Sequence, residues 1–114
     1  MYTGCCKGLY LDKLIQPAIL IELSKEPAHG FLLLQRLKAV HLVEDGLDPT
    51  GFYRNLKKME QDGYISSDNE LSKPNRKVFE VTDFGRQSLS SWKISLEKYE
   101  SHVRNIINAI DHLN

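Results

Sequence analysis

The sequence predicts a mainly α-helical fold with one small β-hairpin, and three observations lead to that prediction. Four segments place apolar residues at helical spacing. One segment between the third and fourth of them alternates apolar and polar residues, as a strand does. The length of 114 residues, with 41% hydrophobic and 26% charged residues, is that of one globular domain with a single core.

The first two helices are predicted from apolar side chains that recur at helical spacing. In the first, these side chains run from Leu11 to Leu23. Pro17 is expected near the start of this helix or in its first turn, where its missing N–H is harmless. The second helix is predicted from His29 to Val40. Its core stripe, and the two residues expected to widen that stripe, are Leu33, Leu34, Leu37, Phe31 and Leu32.

The third helix lies in the segment DPTGFYRNLKKMEQDGYI, which carries clear start and stop signals. Asp48 suits the N-cap and Pro49 suits the first helical position. Gly63 is expected to end the helix. A buried stripe at i, i+4 and i+7 is predicted to begin at Phe52. The opposite face is predicted to be exposed and free of acids, and consists of Thr50, Tyr53, Arg54, Lys57 and Lys58.

The segment YISSDNELSKPNRKVFEVT has the pattern of a β-hairpin. The first strand is predicted to begin at Tyr64, and SKPN supplies turn residues. The residues KVFEV alternate between two faces, as expected of the second strand. Three basic residues, Lys73, Arg76 and Lys77, are therefore expected at or near the tip of the hairpin.

The last helix is predicted from Asp83 to about His112, with Thr82 as its cap. Its apolar residues are separated by gaps that alternate between three and four, which is a heptad seam. One interpretation is that a second copy of the protein covers the seam, and the other is packing on the first helix. Trp92 is then either part of a dimer core or a stacking platform for a ligand. The seam residues are Leu89, Trp92, Leu96, Tyr99, Val103, Ile106, Ile110 and Leu113.

The formal net charge of zero conceals an uneven distribution. Residues 49–58 hold three basic residues and no acid, and so do residues 73–77. The remainder of the chain holds nine basic and fifteen acidic residues. Two local cationic segments on an acidic body indicate two surfaces suited to an anionic partner. A charged helix face that contacts only water is the alternative.

The order helix, helix, capped helix, hairpin, long helix is that of a winged helix-turn-helix. In such a fold the third helix enters the major groove of double-stranded DNA, where Arg54, Lys57 and Lys58 reach phosphates or guanine edges. Tyr53 would form a hydrogen bond to a phosphate through its hydroxyl. The basic residues of the hairpin would contact phosphates or the adjacent minor groove. A winged helix that binds protein instead of DNA is the competing interpretation, although it needs no cations on both elements.

The sequence resembles the PadR family of bacterial transcriptional regulators. The resemblance rests on IQPAIL, AHGFLLLQRL, DPTGFYRNLKKMEQDGYI and PNRKVFEVTDFGRQSLSSW, in the family's order and spacing, over about Leu11 to Trp92. The family usually has Tyr at Phe31 and Leu at Met59. The resemblance implies a homodimeric repressor of the short subfamily, with residues 1–82 as the DNA-binding domain and residues 83–114 as the dimerisation helix. It further implies that phenolic acids or flat aromatic drugs, which release some members from DNA, bind at or near the dimer interface.

Other functional classes receive no support from the sequence. No Ser–His–Asp arrangement, phosphate-binding glycine loop or HExxH motif stands out, so we expect no enzyme and no cofactor. The adjacent Cys5 and Cys6 have no further ligands at metal-site spacing, and we expect no metal. The thiols are either incidental or sensors of oxidation. No apolar run is long enough for a transmembrane helix and no signal peptide is visible, so we expect a cytoplasmic protein.

Overall fold

A computed structural model of the protein describes residues 11–43, 46–70 and 73–113. In these ranges the chain forms four helices and three strands, which confirms the predicted mainly α fold with a small β-hairpin. Cys5 and Cys6 lie outside the described residues, as do the side chains of residues 11–13, 69–70 and 73–76. The elements are α1 (Leu11–Lys25), β1 (Ala28–His29), α2 (Gly30–Ala39), α3 (Pro49–Gln61), β2 (Ile65–Glu70), β3 (Lys73–Val81) and α4 (Asp83–Asp111).

The three strands form an antiparallel sheet with β3 in the centre and β1 and β2 on either side. Phe79 of β3 pairs with Ala28 on one side and with Ser67 on the other. Strand β1 was not predicted from the sequence, because a strand of two residues is too short to show an alternating pattern. The consequence for function is that β1 joins the start of α2 directly to the hairpin.

The predicted turn of the hairpin was placed too late in the chain. Of the four residues SKPN, the last three belong to β3, because that strand already begins at Lys73 and pairs with Glu70 there. Pro74 is tolerated because it is the second residue of its strand, close to the end where proline is accepted. A register shift between Asn69 and Glu70 interrupts the pairing near the same end. Strand β2 begins at the buried Ile65, one residue after the predicted start, and continues through the polar residues that follow as far as Glu70.

One hydrophobic core joins α1, α2, α3 and the sheet. The expected position of Pro17 was wrong, because it is the seventh residue of α1 and lies inside the helix. A proline there costs about 3 kcal/mol. Each fully buried aliphatic side chain of the same helix contributes about 1.5–3 kcal/mol, so several of them outweigh that cost. The buried apolar residues are Ile15, Ala18, Ile19, Leu20, Leu23, Ala28, Leu33, Leu34, Leu37, Leu47, Phe52, Leu56, Met59, Ile65 and Phe79.

Helix α2 buries the predicted stripe of three leucines but not the two residues expected to widen it. Phe31 is 66% exposed and Leu32 is 43% exposed. The buried stripe falls on Gly30, Leu33 and Leu37, and Leu34 lies beside it. At 100° per residue, Phe31 and Leu32 point away from that stripe. A large apolar ring therefore lies on the surface at the first turn of α2.

Helix α4 begins at a tightly bonded junction with the hairpin. The hydroxyl of Thr82 accepts a hydrogen bond from the N–H of Gly85 at 3.0 Å, which confirms the predicted cap. The Thr82 N–H donates to the carbonyl oxygen of Tyr64 at 3.1 Å. The Thr82 hydroxyl also lies 2.7 Å from the Gly63 carbonyl and 3.0 Å from that of Tyr64. This junction fixes the direction in which α4 leaves the domain.

The body of α4 extends away from the rest of the protein. A helix of 29 residues is about 43 Å long, and the molecule measures 62 × 30 × 22 Å. Helix α1 packs against α4, while most of the later residues of α4 are exposed. Among the helices in the described ranges, none has both the length and the apolar character needed to cross a lipid bilayer.

Candidate nucleic-acid interface

The local sequence of α3 gives it defined ends. An oxygen of the Asp48 carboxylate accepts a hydrogen bond from the Thr50 N–H at 3.3 Å, and Pro49 occupies the first helical position. Gly63 follows the helix with φ of 87°, a left-handed conformation that glycine adopts without strain. These contacts confirm the predicted cap, start and stop of α3.

The two faces of α3 differ as the sequence predicted. Phe52, Leu56 and Met59 are buried against the core. This burial holds the helix by one face and leaves the other toward solvent. The residues on the exposed side include all five that the sequence proposed for DNA contact, namely Thr50, Tyr53, Arg54, Lys57 and Lys58.

The three cations of this face are not equivalent. Lys58 forms an ion pair with Asp62 at 3.5 Å, one turn further along, so an acid does adjoin the basic face. A lysine in the last turn also stabilises the negative end of the helix dipole, which gives Lys58 a structural role. Arg54 and Lys57 form no ion pair with any residue whose side chain the structure describes. These two residues are the cations best placed to meet an external anion.

A cleft of about 680 Å³ connects α3 with the start of α2 and with β3. It brings Tyr53 and Lys57 of α3 to the same opening as Lys77 of β3, which is exposed. Thr50, Arg54 and Lys58 do not line it, and the side chains of Lys73 and Arg76 lie outside the described residues. The lining residues are His29, Gly30, Phe31, Tyr53, Leu56, Lys57, Glu60, Gln61, Lys77 and Phe79.

Two hydrogen bonds hold the hairpin against the helices around this cleft. The Nδ1 atom of His29 lies 3.2 Å from the carbonyl oxygen of Lys77. Because a carbonyl oxygen only accepts, the ring nitrogen donates, and this contact fixes β3 at the residue that carries the cation. On the other side, the Ser67 hydroxyl donates to the carboxylate of Glu60, joining β2 to the end of α3. The cationic residues of helix and hairpin are thus held at a fixed separation.

Sequence reasoning missed several residues of the cleft, among them Phe31 and Glu60. They belong to the wall of the cleft because of how α2 and α3 pack, and the pattern of α3 alone contains no signal for Phe31. Glu60 adds one negative charge beside Lys57, although its carboxylate is turned toward Ser67 of the hairpin. Within residues 11–43, 46–70 and 73–113, no three His, Cys, Asp or Glu side chains come together as a metal site would require.

A second surface of functional interest is the heptad seam of α4. Its first part, Leu89 and Trp92, packs against the core, as the intramolecular interpretation expected. Beyond Leu96 the seam is exposed, with Val103 at 38% and Ile106 at 60%. The intramolecular interpretation therefore applies to the first part of the seam, and a dimer interface stays a prediction for the exposed part. The exposed seam residues in the described chain are Tyr99, Val103, Ile106, Ile110 and Leu113.

Trp92 separates two open clefts, each of about 490 Å³. One is lined by polar and aromatic side chains of the hairpin and α4, including Tyr64 and Phe84, whose rings stack with centroids 4.9 Å apart. The other lies between α1 and α4 and includes Pro17 and Ile21. Trp92 thus has both a packed side and open space beside it.

The three-helix core with its capped third helix and adjoining hairpin defines a winged helix-turn-helix protein. The family model described as the transcriptional regulator PadR-like family matches residues 19–91 of the chain. The chain belongs to this family, whose members are DNA-binding transcription regulators rather than enzymes. The resemblance stated from the sequence is therefore confirmed.

Solved structures show the same fold. The protein smu.1704 from Streptococcus mutans is 26% identical, with a TM-score of 0.68 over 85% of this chain and 89% of its own. A PadR-like transcriptional regulator from Bacillus cereus is 22% identical, with a TM-score of 0.70 over 88% and 97% of the two chains. A PadR family transcription regulator from Clostridium difficile is 20% identical, with a TM-score of 0.68 over 82% and 97%. None of the curated proteins matches the chain in sequence.

Proposed function

We propose that the protein is a homodimeric repressor that binds an inverted-repeat operator in double-stranded DNA. The observation that carries this proposal is the meeting of Tyr53, Lys57 and Lys77 at one cleft. Arg54, on the same exposed face of α3, forms no ion pair with any side chain that the structure describes. A helix with such a face fits the major groove, and a basic hairpin next to it reaches the flanking phosphates. Residues 1–82 act as the DNA-binding domain, and Lys73 and Arg76 contribute the remaining charges of the wing. Because its partner is chromosomal DNA, the protein works in the cytoplasm.

The exposed seam supports the dimer. Apolar residues at heptad spacing continue along α4 after the helix has left the core, and no element of the described chain covers them. A second copy of α4 would bury these residues, with α1 contributing through Ile21 beside the cleft of Trp92. Residues 83–114 then act as the dimerisation helix. The dimer places two recognition helices about 34–36 Å apart, in successive major grooves.

Salt dependence separates this proposal from a winged helix that binds protein. We expect about ten phosphate contacts per dimer, so DNA affinity should fall by roughly 10³ to 10⁵ between 50 and 200 mM salt. The test is fluorescence anisotropy with a duplex from the region upstream of the protein's own gene, with an unrelated duplex as competitor. Tight, salt-sensitive binding that prefers the upstream duplex supports the repressor. Equal weak binding of both duplexes at low salt favours a protein-binding module.

Replacing Arg54 with alanine should weaken operator binding by about 1–3 kcal/mol if the guanidinium reads a base. Specificity should relax at one base pair, while binding of unrelated duplex should change little. Anisotropy on the operator and on single-base variants of it measures both effects. Lys58→Ala is the matched control, since Lys58 already has a partner in Asp62 and should matter less. If specific and non-specific affinity fall together, Arg54 is a phosphate contact and does not read a base.

We further propose that a small aromatic effector releases the protein from DNA by binding next to Trp92. The open space on both sides of this ring supports the proposal, and a bound ligand that alters the dimer angle would spoil the spacing of the two helices. Trp92 is the only tryptophan in the chain, so its fluorescence reports the site directly. Titration with flat aromatic acids should quench it and lower operator affinity in parallel. Release of DNA without any change at Trp92 would place the effector elsewhere.

A further inference from the structure

Gly30, the first residue of α2, is buried and lines the cleft that Lys57 and Lys77 share. A Cβ atom added to it would lie 2.7 Å from Cε1 of Tyr53, too close for two carbon atoms. The next nearest atoms, in Leu56 and Phe79, are at 3.6 Å, which is ordinary contact. Among the described residues, the ring of Tyr53 is therefore the one contact that a methyl group at this position would make at less than ordinary distance.

The need for glycine here is steric rather than conformational. Among the glycines of the described chain, only Gly63 has φ in the left-handed region. The backbone conformation of Gly30 is therefore one that any L-residue can adopt. Alanine also forms helices more readily than glycine. The absence of a side chain at this position is therefore required by the neighbouring ring of Tyr53 and not by the helix α2.

The ring of Tyr53 is held on one side and open on the other. It meets the fully buried Phe52 edge to face, with centroids 5.3 Å apart and planes at 74°. With 43% of its surface exposed, it has room to swing toward solvent if it is pushed from behind. A side chain at Gly30 would push it in that direction, at little cost to the fold.

We infer that Gly30 is a positioning residue of the DNA interface, which seats the ring of Tyr53 so that its hydroxyl meets a DNA phosphate. This inference rests on the proposed function and identifies a residue on which the DNA contact of Tyr53 depends. Tyr53 and Lys57 both line the cleft. The hydroxyl moves with the ring, and one edge of that ring fills the space that a Cβ atom at Gly30 would need. Displacing the ring removes one directed hydrogen bond while leaving every cation in place.

The test compares Gly30→Ala, Tyr53→Ala and the double variant in full-length protein. Operator affinity is measured by anisotropy, and the ring is followed by ¹⁹F NMR of protein labelled with 3-fluorotyrosine. Tyr53→Phe assigns its resonance among those of the five tyrosines. Gly46→Ala is the control, because a Cβ there meets no atom within 4 Å. We expect Gly30→Ala to shift the Tyr53 resonance and to weaken binding about 3- to 10-fold.

In the Tyr53→Ala background, Gly30→Ala should have no further effect, because the ring that it displaces is gone. An unmoved Tyr53 resonance, or equal losses of affinity in both backgrounds, would overturn the inference. If Gly30→Ala lowers the unfolding midpoint, the double variant separates loss of stability from displacement of the ring. Without the Tyr53 ring, the added Cβ atom meets only ordinary contacts. Absence of specific DNA binding by the wild-type protein would instead overturn the proposed function, and the ¹⁹F shift keeps the two failures apart.

Discussion

Replacing Gly85 with alanine is expected to lower the free energy of unfolding by about 3 kcal/mol or more. A Cβ atom at this position would lie 2.0 Å from the carbonyl oxygen of Tyr64, which is backbone and has little freedom to move. Overpacking of this kind costs about 1–3 kcal/mol, and more where the neighbour is rigid. The same carbonyl accepts the hydrogen bond from the Thr82 N–H. Moving the carbonyl also weakens this bond, which contributes about 1 kcal/mol.

Thermal unfolding followed by circular dichroism measures this effect, with an expected drop in midpoint on the order of 10–20 °C. Gly51→Ala is the matched control, because Gly51 is half-buried in α3 and a Cβ there meets nothing within 4 Å. Alanine should leave that variant as stable as the wild type or slightly more stable. Both variants need the same protein concentration, since the proposed dimerisation would shift the midpoint. Similar midpoints for the two variants would contradict the packing described at the hairpin–α4 junction.

Replacing Val103 and Ile106 together with aspartate should convert the dimer to monomer and abolish specific DNA binding. In the proposed dimer both side chains lie in the interface, and desolvating unpaired carboxylates costs several kcal/mol per group. A loss of about 4 kcal/mol weakens association roughly a thousandfold. The single chain exposes both residues, at 38% and 60%, so the monomer itself should keep its fold.

Sedimentation velocity determines the oligomeric state, and anisotropy then measures operator binding. Ser101→Asp with Asn108→Asp is the matched control, because it adds the same charge on the opposite side of α4. The control should remain dimeric and bind operator nearly as well as the wild type. A Val103/Ile106 variant that stays dimeric would show that the seam is not the interface.

The sequence was sufficient to predict the elements that carry strong local signals. Asp48, Pro49 and Gly63 defined α3, because capping and positive φ depend on the residues themselves. Thr82 defined the start of α4 for the same reason. The exposed basic face of α3 followed from helical periodicity, since three buried residues at that spacing determine the direction of the others.

The wrong predictions concern positions where tertiary packing, and not local sequence, determines the structure. Pro17 lies within α1 because burial of its neighbours outweighs a missing hydrogen bond, and no local signal records that balance. Phe31 is exposed because the stripe of α2 is narrower than its apolar content suggests. The cleft that joins Lys57 to Lys77 depends on the pairing of β1 with β3, which are about fifty residues apart in sequence. The ion pair of Lys58 with Asp62 was visible in the i, i+4 spacing but was overlooked.

Selection from random duplex DNA by the purified protein tests whether two recognition helices, held by paired α4 helices, read one sequence twice on the same side of the duplex. The enriched sequences should contain an inverted repeat whose half-sites are centred about 10 base pairs apart. Inserting five base pairs between the half-sites should then remove tight binding. Recovery of no common sequence, or of a single half-site bound equally well alone, would contradict recognition by a dimer.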